Sequence, residues 1–151
     1  MNNSISFPTN NLDYVNSSAN NLFERASRPN WRSLLPARFR AADQALPILT
    51  HESTDNVDKA ETTTRRVVLS QVCGSVSSAR GEDFDTNFRP VRKHLKDRWV
   101  RVAQACFQQK VLPPVNLVQI ADNYYVVDGH HRVSVAKSLG HDEILANVTC
   151  C

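Results

Sequence analysis

The sequence predicts an α+β fold: a mixed sheet with flanking helices, preceded by an irregular helical N-terminal arm. Three observations carry this. Short apolar runs of β type stand at Val67–Val72, Val115–Ile120, Tyr124–Val127 and Glu143–Thr149. Between them, two segments repeat apolar residues at helical spacing, and Pro, Gly and Asx residues mark the boundaries. With 151 residues, 41% hydrophobic and 22% charged, the chain holds one domain's worth of material and a modest core.

The N-terminal part reads differently from the rest. Residues 1–21 hold seven asparagines with several serines and few apolar anchors. Such a stretch buries too little surface to offset its ordering entropy, so residues 1–20 are expected to form a disordered arm. Helical patterns follow at Asn21–Arg28 and Trp31–Gln44, interrupted by Pro29 and Pro36, and 51–64 is a polar linker, so 21–64 reads as helical arm and linker.

The compact domain is expected over 65–151. Val67–Val72 is its first strand, and Gly74–Asn87 a polar loop. Pro90 suits a first helical turn, and Val91, Leu95, Trp99, Val102 and Cys106 then form one buried stripe on a helix of about five turns. Pro113-Pro114 enforces an extended break before strand Val115–Ile120. Asp122-Asn123 signals a hairpin into Tyr124–Val127. A helix over Asp128–Leu139 ends at Gly140, a left-handed cap, before the last strand Glu143–Thr149.

Global properties exclude some classes. No apolar run approaches the roughly 18 residues of a membrane span, and no basic-then-apolar leader opens the chain, so a soluble cytoplasmic protein is expected. Cys73 and Cys106 sit in apolar surroundings as ordinary core thiols, and the adjacent Cys150-Cys151 pair has poor geometry for a zinc site. His51 and His141 lack a partner pattern and are expected at the surface.

Chemistry concentrates at Asp128-Gly129-His130-His131-Arg132. A strand there meets a glycine turn and a helix start, where unpaired amides and the helix dipole favour a phosphate. Gly129 lets the backbone turn and approach a ligand. Arg132 has the fork to grip two phosphate oxygens, and either histidine is suited to proton transfer near neutral pH. The plainer alternative makes Asp128 an N-cap worth about 1 kcal/mol, with both histidines exposed.

Two further features surround it. Arg89–Arg101 carries six basic residues against one acid, Asp97. Arg89, Arg92, Lys93 and Lys96 share a helix face, with His94 close by, as suits phosphates along a nucleic-acid backbone. Glu82, Asp83 and Asp85 offer oxygen ligands for Mg²⁺ or Mn²⁺, or serve as a plain loop with capping residues. Gly74-Ser75-Val76-Ser77-Ser78 offers amides and hydroxyls but lacks the Gly-Lys-Ser/Thr of a P-loop.

At these residues the sequence resembles the ParB/sulfiredoxin superfamily, across roughly Arg65–Thr149. Sulfiredoxins show Gly-Gly-Cys-His-Arg here and ParB proteins Gly-Glu-Arg-Arg. Gly129 matches the turn glycine, and His131 and Arg132 match the phosphate-binding His-Arg. His130 replaces the sulfiredoxin cysteine, so sulfinic-acid repair is not expected. No DNA-reading helix-turn-helix segment follows, so the expectation is a stand-alone domain rather than a partitioning clamp. The resemblance implies nuclease activity or nucleotide binding. The first reading is a DNA nuclease: the basic helix holds DNA, Gly129 and Arg132 bind the scissile phosphate, and His130, His131 and Asp128 serve catalysis. The alternatives are a CTP- or ATP-binding or small-molecule phosphotransfer domain, and a non-catalytic DNA-binding module. Oligomeric state stays open.

Overall fold

A computed structural model of the chain describes residues 11–28, 45–49 and 61–150. Helix α1 spans Asn11–Ala26, strand β1 Thr62–Val68, β2 Val72–Ser75, the short helix α2 Ser78–Gly81, and helix α3 Lys96–Phe107. Strand β3 (Val115–Ile120), β4 (Asn123–Asp128), helix α4 (His130–Ser138) and β5 (Glu143–Cys150) complete the domain. The strands form one mixed sheet in the order β1-β5-β3-β4-β2. The β1–β5 and β3–β4 pairs are antiparallel, and β3–β5 and β2–β4 parallel. The expected α+β class with a mixed sheet is therefore observed.

Several elements differ from expectation, each for a packing reason. The mobile arm is corrected over 11–20, which form the first part of α1; residues 1–10 and the pattern at Trp31–Gln44 lie outside the described residues. In α1, Val15, Ala19, Leu22 and Phe23 recur on one face and are buried. That face packs on α3, where the Phe23 and Trp99 rings meet edge to face at 5.4 Å. Asn16 accepts from Gln104 at 2.8 Å, so even the asparagine-rich turn is anchored. Within the expected linker, Thr62–Thr64 belong to β1.

The single strand expected at Val67–Val72 is two strands on opposite edges of the sheet. Buried Val67, Leu69 and Val72 are spaced two and then three, and a 3₁₀ turn at Leu69–Gln71 makes the change of direction. The loop expected over Gly74–Asn87 contains the end of β2 and α2. The hairpin turn falls on Ala121-Asp122, with Ala121 at φ 52°.

The five-turn helix from Pro90 is shorter. The amide of Val91 donates to Asp83 O (3.0 Å) and that of Asp85 to Arg89 O (3.1 Å), so the chain around Pro90 is paired as extended backbone. A 3₁₀ turn at Lys93–Leu95 then leads into α3. Its buried stripe is Leu95, Trp99, Val100 and Ala103, whereas Val91 is exposed. Trp99 is fully buried, and its indole N–H donates to the buried Ser134 Oγ of α4 at 2.7 Å. This bond fixes α4, and with it the site, against α3. As expected, Gly140 follows α4 in the left-handed region (φ 75°).

Cys73 and Cys106 are half-buried free thiols, and burial pushes the Cys106 thiol pKa up. Cys150 is exposed; Cys151 and His51 lie outside the described residues, and His141 is exposed. No helix among the described residues is long and apolar enough to cross a membrane.

Candidate functional site

Strand β4 delivers the chain to Gly129, whose φ of 103° and ψ of 21° turn it into α4. A Cβ there would lie 2.6 Å from Val115 Cγ1, so the close approach to β3 requires glycine. Gly129 is the N-cap and no side chain caps the helix. The first intrahelical bond runs from the Val133 amide to Gly129 O (3.0 Å), which leaves the amides of Gly129 to Arg132 without an acceptor in the helix. These amides border a cleft of about 250 Å³ lined also by Ser77, Arg80 and Arg98. Asp128 is not the N-cap of the plainer reading.

Both histidines are buried, with only 5% and 7% of their surface exposed. His130 Nε2 lies 2.7 Å from Ser75 Oγ, and its ring stacks with Phe84 at 6.2 Å. Ser75 Oγ also accepts the Ser77 amide at 2.9 Å, so the serine is itself fixed. His131 meets the Phe84 ring edge to face at 5.5 Å. Its Nε2 is buried and has no hydrogen-bond partner among the described residues. Burial, then the positive field of Arg80, pushes the His130 pKa down to about 4. Burial, then Arg98 and Arg80, does the same for His131. Both imidazoles are therefore neutral at pH 7: ready to accept a proton, not to donate one from an imidazolium.

Arg132 has a different task from the one its motif predicts. Its Nη1 donates to the carbonyls of Pro113 and of Pro114, the latter at 2.8 Å. Its Nη2 donates to the Asp128 carboxylate at 2.7 Å. Arg132 thus ties α4 to the chain entering β3, and Asp128 is spent on the same tie. Arg132 and Asp128 still line the cleft, beside two further cations: Arg98, exposed on α3, and Arg80, which also holds Asp83 at 3.1 Å. Arg80 carries no sequence signal for this role. Arg98 lies in the basic run but off the predicted face.

The two guanidinium groups should separate experimentally. Arg132→Lys, which cannot span two carbonyls and a carboxylate, is expected to cost about 1–3 kcal/mol in urea denaturation. Arg98→Gln should leave stability within about 0.5 kcal/mol. It should weaken pyrophosphate binding by roughly tenfold or more in calorimetry, the loss of one charged hydrogen bond. Equal pyrophosphate affinity in wild type and Arg98→Gln would remove Arg98 from the site.

The predicted basic face is not one helix face. Arg89 and Arg92 precede α3, Lys93 and His94 stand in the 3₁₀ turn, and Lys96 opens the helix. Arg89 pairs with Asp85 (2.7 Å), Arg92 with Glu82 (3.4 Å), His94 with Asp83 (3.3 Å) and Lys96 with Glu24 (2.7 Å). The first three pairs engage the acidic loop, and Asp85 also accepts the amides of Asn87 and Arg89. Glu82, Asp83 and Asp85 do not converge: among the described residues no group of three His, Cys, Asp or Glu side chains is placed to hold a metal ion. Instead Glu82 faces Arg92, Asp83 faces Arg80 and His94, and Asp85 faces Arg89.

Residues 69–151 match the family profile of the ParB N-terminal domain. The chain belongs to that family. The match covers β2 to β5 and the whole cleft, and it bears out the resemblance read at Gly129–Arg132. No curated protein and no solved structure matches the chain. As a ParB N-terminal domain, the protein is ParB-like and its family points to DNA as partner.

Proposed function

We propose that this ParB-like domain hydrolyses phosphodiester bonds in DNA, with the phosphate held at the N-terminus of α4. One observation carries the reading: a single cleft brings together four uncapped amides, Arg98, Arg80 and two buried neutral imidazoles. Amides aimed at an oxygen where charge develops supply the largest catalytic term. His131, which lines the cleft and whose Nε2 has no partner, is the side chain that exchanges a proton with the reacting phosphate. Ser75 and Phe84 hold His130 beside it as a fixed polar wall. Proton transfer of this kind adds roughly 10²–10⁴-fold.

A second reading, nucleotide binding at the same cleft, is favoured by the salt bridges of the basic run. Three of its six cations, and His94 beside them, already face chain carboxylates, which leaves less free charge for a polymer. Supercoiled plasmid with Mg²⁺, with Mn²⁺ and with EDTA separates the readings. Cleavage that falls at least 10²-fold in His131→Ala is the expected result. Intact plasmid in every condition would sink hydrolysis. A mobility shift without cleavage would leave a DNA-binding module, and CTP or ATP binding without DNA affinity would favour the nucleotide.

A further inference from the structure

Among the described residues, His131 Nε2 is the one buried side-chain nitrogen or oxygen left without a hydrogen bond. A buried polar group without a partner is costly and calls for an explanation. Its position supplies one: His131 is 93% buried, yet it lines the cleft at the uncapped start of α4. We propose that the cleft binds its anion together with one proton, which His131 takes up as the anion enters. The proposal rests on the anion-holding role of this cleft.

The charges around His131 explain why the proton is absent before binding. Arg98 approaches from α3 and Arg80 from α2, and His94 stands in the 3₁₀ turn beyond; all three oppose a further positive charge. Asp83, in the loop after α2, favours it but already faces Arg80 and His94. On α4's own turn, His130 is tied to Ser75, and Asp128 and Arg132 pair with each other. An anion between Arg98, Arg80 and the α4 amides reverses this balance. It cancels the field of both guanidinium groups and gives an imidazolium N–H an acceptor. An opposite charge at such range raises a histidine pKa by about 1–3 units. The proton comes from the solvent, and no bond in the anion breaks.

Sulfate tests this, because it stays doubly charged from pH 5.5 to 8. Calorimetry on the full chain should show affinity rising as pH falls across that range, by up to about tenfold per unit, the limit for one linked proton. In wild-type protein, the His131 ring signals in NMR should shift to the protonated position with sulfate at pH 6, but not without it. His131→Asn should flatten the affinity profile, while His94→Asn and His130→Asn retain its slope. Sulfate binding with the same affinity at every pH would overturn the proton uptake and leave the anion site standing. Slope lost in His130→Asn or His94→Asn, but kept in His131→Asn, would overturn the assignment to His131. No sulfate binding at any pH would overturn both the proposal and the site it rests on.

Discussion

Gly129→Ala is expected to cost about 3–5 kcal/mol of folding stability, whereas Gly140→Ala costs about 1 kcal/mol. The two glycines flank the same helix, and both have positive φ, at 103° and 75°. Each substitution therefore strains the backbone by about 1–3 kcal/mol, least where φ lies close to the left-handed helical value. Only Gly129 adds a clash. Its new Cβ would meet Val115 at 2.6 Å and 2.9 Å, and Val115 is fully buried between β5 and β4. Overpacking of a closed core adds about 1–3 kcal/mol. At Gly140 nothing lies within 4 Å of the added atom. Midpoints of urea denaturation at unchanged slope measure the difference. Equal losses at the two positions would mean that β3 yields to the added methyl. Relief of the clash also displaces the α4 amides, so pyrophosphate affinity should fall in the folded Gly129→Ala protein and hold in Gly140→Ala.

What the sequence revealed and what it hid divide along range of interaction. Strands β3 to β5, Gly129 and the end of α4 before Gly140 were legible because turn chemistry and apolar periodicity are local, whereas Asp128, read as the helix start, closes β4. The partners of Arg132 were not: its acceptors at Pro113 and Pro114 are 19 and 18 residues away, and only the fold brings them under α4. The basic run misled for the same reason. Lys96 meets Glu24 across 72 residues, in an arm whose docking on α3 no local pattern shows. The stripe of Val15, Ala19, Leu22 and Phe23 in α1 is diluted by asparagine and gains its value against α3, where Phe23 meets Trp99. Arg80 reaches the cleft from a four-residue helix too short to leave a periodic signal.

Acid should unfold this protein through the same two histidines that make the cleft receptive. In the unfolded chain each has a pKa near 6.5, and in the fold each is pushed down to about 4, by burial first and then by Arg80 or Arg98. Between those values the unfolded state binds more protons, so stability is full above pH 6.5 and declines as pH falls toward 4. Each histidine accounts for about 3 kcal/mol. Between pH 7 and pH 4.5, where the folded histidines are still partly neutral, the two together contribute on the order of 5 kcal/mol, a large share of a domain's stability. Glu24 acts in the same direction, but its lowered pKa places it below 4.5, beneath this window. The melting temperature should therefore fall by roughly 15–20 °C between pH 7 and pH 4.5. Replacing either histidine by Asn should reduce that slope even where it lowers stability at pH 7. An unchanged slope in both variants would move the acid sensitivity to other groups. Sulfate separates the burial of the imidazoles from their role at the cleft. If it binds the protonated fold, it restores stability at pH 5 by RT ln(1 + [L]/Kd), and it does so less at pH 8, where affinity is lower. An additive that stabilised equally at both pH values would be acting on the protein surface, not through His131.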